Sequence, residues 1–234
     1  MNNPNTPAAE RLFPVALLTL SGGLQDAYTY FCRGRVFANA QTGNIVLLGQ
    51  SLFSGNLSLA GRYLLPLLTF ALGVATAEYI RTRPDRRLGW QQRVLLWEIT
   101  LLFAVGFLPP ALDLAANALV SFSCAMQVQA FRRVEGFSFA STMCIGNLRG
   151  GTDALCAFLR TGDRQERKKA GLYFIVILLF ALGAGAGSLI LTPLGLRAIW
   201  LSCILLSLSF IVLISPHAPG HKNGRRPDDA APRF

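Results

Sequence analysis

The sequence predicts an all-α integral membrane bundle of six full transmembrane helices plus two re-entrant, broken half-helix elements, arranged as an inverted repeat. Three observations carry that reading: long apolar runs, a pair of glycine-broken polar stretches among them, and the placement of arginine and lysine between them. Of 234 residues, 52% are hydrophobic and only 15% are charged, where an ordinary soluble domain has about 25% charged residues. Several runs approach the ~20 residues needed to cross a ~30 Å hydrocarbon core.

Taken in order, residues 1–11 read as a disordered N-terminal tail. A single transmembrane domain, 12–214, follows, with repeat one at 12–108 and repeat two at 112–214. The first run is Leu12 to Cys32. Only Arg11 precedes it as a basic residue and many more runs follow, so it reads as an uncleaved span rather than a signal peptide. The first broken stretch, Phe37 to Leu52, holds Gly43-Asn44. The third run, Tyr63 to Ile80, closes on a basic loop with Arg81, Arg83, Arg86, Arg87 and Arg93. The fourth, Val94 to Leu108, ends at Pro109-Pro110, because proline cannot continue helix hydrogen bonding.

A fifth run, Leu112 to Phe131, leads through Arg132-Arg133 to the second broken stretch, Phe137 to Leu159, which holds Gly146-Asn147. A second basic loop spans Arg160 to Lys169. The seventh and eighth runs are Gly171 to Leu191 and Ala198 to Ile214. Residues 215–234, rich in Pro, His, Gly, Lys, Arg and Asp, read as a disordered cytoplasmic tail.

The order of the runs repeats. Gln25 corresponds to the region of Gln127, Gly43-Asn44 to Gly146-Asn147, and Phe70-Ala-Leu-Gly73 recurs identically as Phe180-Ala-Leu-Gly183. Charge then decides how the halves are oriented. If all eight runs crossed, the basic residues would divide 11 inside to 10 outside; if the two broken runs dip in and return, the division is 17 to 4, with Arg149 inside the second broken stretch. Lysine and arginine near span ends favour the cytoplasm, so the second arrangement is the better one. Each half then has an odd number of spans. The copies are inverted and both termini are cytoplasmic.

Glycine-broken polar backbone at membrane depth needs protein or a water-lined cavity to satisfy its hydrogen bonds. The two stretches are therefore expected to line one site near the midplane, between the broken helices. Thr42 or Asn44 is expected to cap a half-helix whose free N–H groups favour an anionic or hydrogen-bond-accepting solute. The candidate substrate-binding residues are Gln25, Asp26, Asn39, Thr42, Gly43, Asn44, Gln127, Thr142, Gly146, Asn147, Arg149 and Asp153.

An ionisable side chain at a bilayer centre costs ~2.5–3.5 kcal/mol by insertion scales. Asp26, with no local partner in sequence, is the strongest functional candidate among such groups, whereas Arg149 and Asp153 can pair across one helical turn. Glu78 and Glu98 lie near span ends beside the 81–93 arginines and are expected to snorkel to ion pairs at the interface.

Other classes of function find little support. The only histidines, His217 and His221, are in the tail, and there is no P-loop or dinucleotide fingerprint. Cys32, Cys124, Cys144, Cys156 and Cys203 show no Cys-x-x-Cys spacing and read as small buried residues. The reading is thus a non-enzyme with no metal and no cofactor. The net charge of +10 falls in loop-like blocks, so no nucleic-acid partner is expected. The expected partners are the lipid bilayer and a small polar solute, with a homo-oligomer left open.

Gly23-Leu-Gln-Asp-Ala27, Val36-Phe-Ala-Asn39, Thr42-Gly-Asn44, Met126-Gln127 and the second Gly146-Asn147 together resemble the YoaK-like family of small bacterial multi-pass membrane proteins, over roughly Leu12 to Ile214. Where the family pattern repeats a Thr-Gly motif in its second half, this chain has Cys144-Ile-Gly146. The resemblance implies a bacterial inner (plasma) membrane location. It names no substrate, because the family's molecular function is not established. Two functions stay open at this point. One is a secondary transporter or facilitator of a small polar or anionic solute; the other is a non-transporting assembly or sensory protein whose broken helices only pack.

Overall fold

A computed structural model describes residues 6–83, 85 and 88–214. The tail expected at 215–234 and the first five residues lie outside the described residues. The α-helices are α1 (Leu12–Cys32), α2 (Gln41–Phe53), α3 (Leu57–Thr82), α4 (Trp90–Val105), α5 (Asp113–Ala130), α6 (Cys144–Thr161), α7 (Arg164–Leu194) and α8 (Trp200–Ile214), with short 3-10 turns at Ala8–Glu10, Pro110–Leu112 and Gly195–Ile199.

Local chemistry sets several boundaries. The Asn56 side chain accepts from Leu59 N at 3.0 Å and opens α3, and Asp163 accepts from Gln165 N at 2.8 Å and opens α7. Gly162, at φ +71°, closes α6 in the left-handed conformation that glycine adopts without strain. The second broken stretch, Phe137 to Leu159, opens as extended chain and becomes helical only at Cys144. Glu135 and Gly136 both have positive φ, forming a tight turn that pairs Arg133 with Ser138 and Val134 with Phe137 in a short β-hairpin. Val134 is then buried in a small cluster with Val15, Phe139, Leu172, Tyr173 and Val176.

Side-chain contacts give the helix directions. Gln25 meets Glu98 and Arg33 meets Val105, so α4 runs with α1; Gly183 abuts Leu20 and Gly187 abuts Ala27, so α7 does too. Leu18 meets Gln127 and Arg33 meets Asp113, so α5 runs the other way. Pro66 lies at Ser121 and Glu78 at Gln129, which aligns α3 with α5. Gln92 meets Leu213 and Ile99 meets Cys203, so α8 opposes α4. The bundle end where α1 begins is called proximal below, and the other end distal.

Packing follows one scheme in both halves. α1 lies on α7 and α8, α5 lies on α3 and α4, α2 lies along α3, α6 along α7, and α4 meets α8. The two Phe-Ala-Leu-Gly copies mark the tightest crossings. A Cβ on Gly73 would lie 2.3 Å from Phe122 O, and one on Gly183 would lie 2.1 Å from Leu20 O. Only glycine allows backbone to approach backbone this closely.

The polar-broken stretches differ from their expected arrangement. From the distal end of α1 the chain doubles back until Asn39 reaches Gly22 and Asp26, and α2 then returns to the distal end. From the proximal end of α5 the hairpin leads to Ser141 at Gln127 and Thr142 against Gly22, and α6 returns to the proximal end. The extended segments preceding α2 and α6 are what meet at mid-height. The helices themselves lie apart, on α3 and α7.

The interior between these elements is filled by Leu18, Leu95, Leu102, Met126, Ile199 and Leu206, all fully buried. The outer surface is apolar, with Leu64, Leu68 and Leu72 on α3 and Leu178 and Leu182 on α7 exposed. Such a belt has no place on a water-soluble monomer. Three helical stretches, Leu57–Thr82, Pro110–Ala130 and Arg164–Ile214, are long and apolar enough to cross a membrane.

Candidate functional site

One face of α4, Val94, Leu95, Glu98, Leu102 and Val105, is buried against the rest of the bundle. Its 3–4 spacing is the stripe of a core-facing helix, and it carries a carboxylate in the middle. Glu98 is therefore not at an interface beside arginines, as its place near the start of an apolar run suggested. It is fully buried, because α4 begins at Trp90 and places Glu98 more than two turns inside. Gln25 of α1 donates Nε2 to Glu98 Oε1 at 3.3 Å, and the Gln127 amide of α5 comes within 2.9 Å of the same oxygen from the other side. The two glutamines matched in the repeat thus bracket one glutamate. Ser21 and Cys124 hold Gln25, and Ser141 holds Gln127.

Asp26 lies beside this group and has a partner that the linear sequence did not show. The backbone N–H of Asn39 donates to its Oδ1 at 2.8 Å. Asn39 Nδ2 donates to Gly22 O at 3.3 Å, while Asn39 Oδ1 is buried without a hydrogen-bond partner among the described residues. Thr142 packs its methyl against Gly22 from the second extended segment. Among the described residues no salt bridge involves Asp26 or Glu98.

The structure brings Gln25, Asp26, Asn39, Gln127 and Thr142 together and places the other candidates elsewhere. Asn44 and Asn147 are buried but clamp backbone: Asn44 Nδ2 donates to Phe37 O at 2.7 Å and its Oδ1 accepts from Phe37 N, and Asn147 does the same with Ala140. Among the described residues no side chain caps either helix, whose N-caps are Ala40 and Met143, so the expected capping by Thr42 or Asn44 does not occur. Asn44 is committed to the preceding loop, and Thr42 points outward, as does Gly146, while Gly43 packs beside the Phe37 ring. Arg149 and Asp153 do pair, at 4.0 Å, but on the exposed outer face of α6, far from any shared interior site. Cys156 is on that exposed face too, unlike the buried position expected of it.

Glu98, Ser21, Cys124 and Ser141 were missed. Only the 94, 95, 98, 102, 105 stripe was available in the sequence to identify one of them.

The two ends of the cluster are unlike. Distally, Arg33 is fully buried: it pairs with Asp113 at 2.9 Å, donates to Tyr28 Oη at 2.9 Å and to Val105 O at 3.0 Å, and its own carbonyl accepts from Asn117 Nδ2. Arg33, one of the four basic residues on the outer side of the 17-to-4 division, instead lies inside the bundle and closes this end. Proximally, a cavity of about 580 Å³ opens between Glu10, Glu78, Arg81, Trp90, Gln129 and Phe139. Glu78 makes its expected ion pair here, with Arg81 at 2.8 Å, and also accepts from Gln129. Ala130, one helical turn from Gln127, also lines the cavity.

The fold and this interior define an all-helical membrane protein with a buried polar centre. The chain belongs to the family described as protein of unknown function (DUF1275), whose pattern matches residues 15–212. It is similar to the UPF0700 transmembrane protein YoaK of Bacillus subtilis (strain 168), at 27% identity over 191 residues, covering 76% of this chain and 83% of that protein. No solved structure matches the chain.

Proposed function

We propose that this protein is a secondary transporter or facilitator of a small polar solute, built from six crossing helices as an inverted repeat around two half-helices, with its site in the central cluster. One observation carries the reading: two extended segments, one entered from each end of the bundle, converge on Gly22 amid buried polar groups. Interrupted helices meeting at the midplane of opposed repeats are the usual construction of secondary transporters. The opposed directions of α1 and α5, of α3 and α7, and of α4 and α8 support the inverted repeat. So do the matching clamps of Asn44 and Asn147.

The unpartnered Asn39 Oδ1 supports solute contact, since a buried carbonyl oxygen left unpaired costs ~1–3 kcal/mol. Its acceptor character, beside two carboxyl groups, suits a solute with N–H or O–H donors better than the anion that free helix N-termini would attract. The enclosed distal end and the open proximal cavity fit one state of an alternating cycle. With the basic residues gathered proximally, that cavity faces the cytoplasm, in a bacterial plasma membrane, and both termini are cytoplasmic.

The test is side-specific labelling of Asn39→Cys and Thr142→Cys in membranes, on a background lacking the native cysteines, with a small hydrophilic thiol reagent. Transport requires labelling of both, with access that changes side between conditions. Silence at both positions while loop controls react would favour the alternative, an assembly or sensory protein whose well-paired cluster only packs.

A further inference from the structure

Two orientations of the Gln127 amide fit the same space. In one, Nε2 donates to Ser141 Oγ at 3.1 Å and to Leu18 O at 3.4 Å, and the amide oxygen is left 2.9 Å from Glu98 Oε1 and 3.3 Å from Oε2. Two oxygens that close need a proton between them, so this orientation matches a Glu98 that carries one. In the other, Nε2 donates to the two Glu98 oxygens at those distances and the amide oxygen accepts from Ser141 Oγ at 3.1 Å. That arrangement matches the bare carboxylate. Gln25 has no such freedom, because its nitrogen is shared between Ser21 Oγ at 2.9 Å and Glu98, and its oxygen accepts from the Cys124 thiol.

We infer that Glu98 is an exchangeable proton site, and that the Gln127 amide transmits its occupancy to Ser141 in the segment ahead of α6. Uptake moves one proton from a solvent hydronium ion to the carboxylate: one O–H of the hydronium breaks as one carboxyl O–H forms, a water is released, and no other covalent bond changes. The amide then turns over, and the Ser141 hydroxyl changes from donor to acceptor. Because Ser141 precedes Thr142, the change arrives at one of the two segments that meet at Gly22. The inference rests on the central cluster being the working site, and it names the proton as a ligand of that site.

Among the described residues no cation pairs with Glu98 to take the proton's place. From α1 there is Asp26, turned to Asn39; from α5, Cys124; from α8, Cys203, whose thiol faces Ile99 O. On α4 itself Arg93 is turned away, to the carbonyls of Ile80 and Arg83. Glu78 of α3 is held by Arg81, and Arg33 of the distal end by Asp113. A buried carboxylate without a counter-charge is strongly disfavoured, and a proton relieves that cost.

The experiment is infrared difference spectroscopy between acidic and alkaline pH on the full-length protein in lipid vesicles, with glutamine carrying a heavy-isotope amide carbonyl. The wild type should show a protonated-carboxyl stretch that disappears as pH rises, together with a shift of the labelled amide band. Glu98→Gln should lose both, Asp26→Asn should keep both, and Gln127→Leu should keep the carboxyl stretch and lose the amide shift. The inference is overturned if the carboxyl stretch survives in Glu98→Gln, or if Gln127→Leu retains the amide shift. Since the readout needs no solute, vesicles silent in flux assays but with the Glu98-dependent band would end the transport reading and uphold the proton site. Flux without that band would do the reverse.

Discussion

Asn44 and Asn147 perform the same task in the two halves: each folds its side-chain amide back onto the backbone of the residue seven positions earlier, Phe37 and Ala140, donating to the carbonyl at 2.7 Å. These clamps shape the extended segments that carry Asn39 and Thr142 into the bundle centre. The Gly-Asn pairs are thus positioning devices, and the residues they position lie upstream.

Asn44→Ala and Asn147→Ala should therefore each leave part-buried backbone groups unpaired and cost ~1–3 kcal/mol. Thermal unfolding of the purified protein in detergent should show the loss for either variant. The two sites share no partner, so the double variant should lose nearly the sum. An unchanged melting temperature in both single variants would remove the clamp from the account.

The fully buried Arg33 and the partly buried Asp113 form an ion pair tying the end of α1 to the start of α5. Removing one partner of such a pair typically costs ~3–5 kcal/mol, so Arg33→Ala should be severely destabilised. Arg33→Lys should not rescue it, because a lysine ammonium cannot reach Tyr28, Val105 and Asp113 together as the planar guanidinium does. Size-exclusion profiles after mild heating would compare the three proteins.

Gly73→Ala and Gly183→Ala each drive a Cβ into a backbone carbonyl at a helix crossing and should cost ~1–3 kcal/mol through forced repacking. Among the described residues, Gly185 has nothing within 4 Å of where its Cβ would be. Gly185→Ala in the same helix should be neutral or slightly stabilising. Equal stability of all three variants, measured by thermal unfolding, would contradict the close crossings.

Single cysteines at Asn56, between α2 and α3, and at Gly162, between α6 and α7, should react with an impermeant thiol reagent from opposite sides of the membrane. In the proposed orientation Asn56 labels in intact cells and Gly162 only after permeabilisation. Labelling from the same side would break the inverted arrangement.

The bundle's helices were largely legible in the sequence, because lipid contact demands long apolar runs and basic residues collect where the chain leaves them. α1 matches the Leu12 to Cys32 run, and the recurring Phe-Ala-Leu-Gly motif marks close crossings in both halves. The pairing of Gln25 with Gln127 was likewise visible as a repeat. Tertiary structure alone decided what they flank: Glu98 looks like an interfacial residue in a one-dimensional reading, and only the packing of α4 between α5 and α8 buries it. The partners of Asp26 and Arg33 were hidden in the sequence for a related reason. Asn39 N–H and Asp113 are supplied by a chain reversal and by a distant helix end, and local spacing carries no information about either. Composition and periodicity set which surface faces lipid, since that is a property of each helix alone. Which polar groups meet in the interior depends on how separate helices are brought into register.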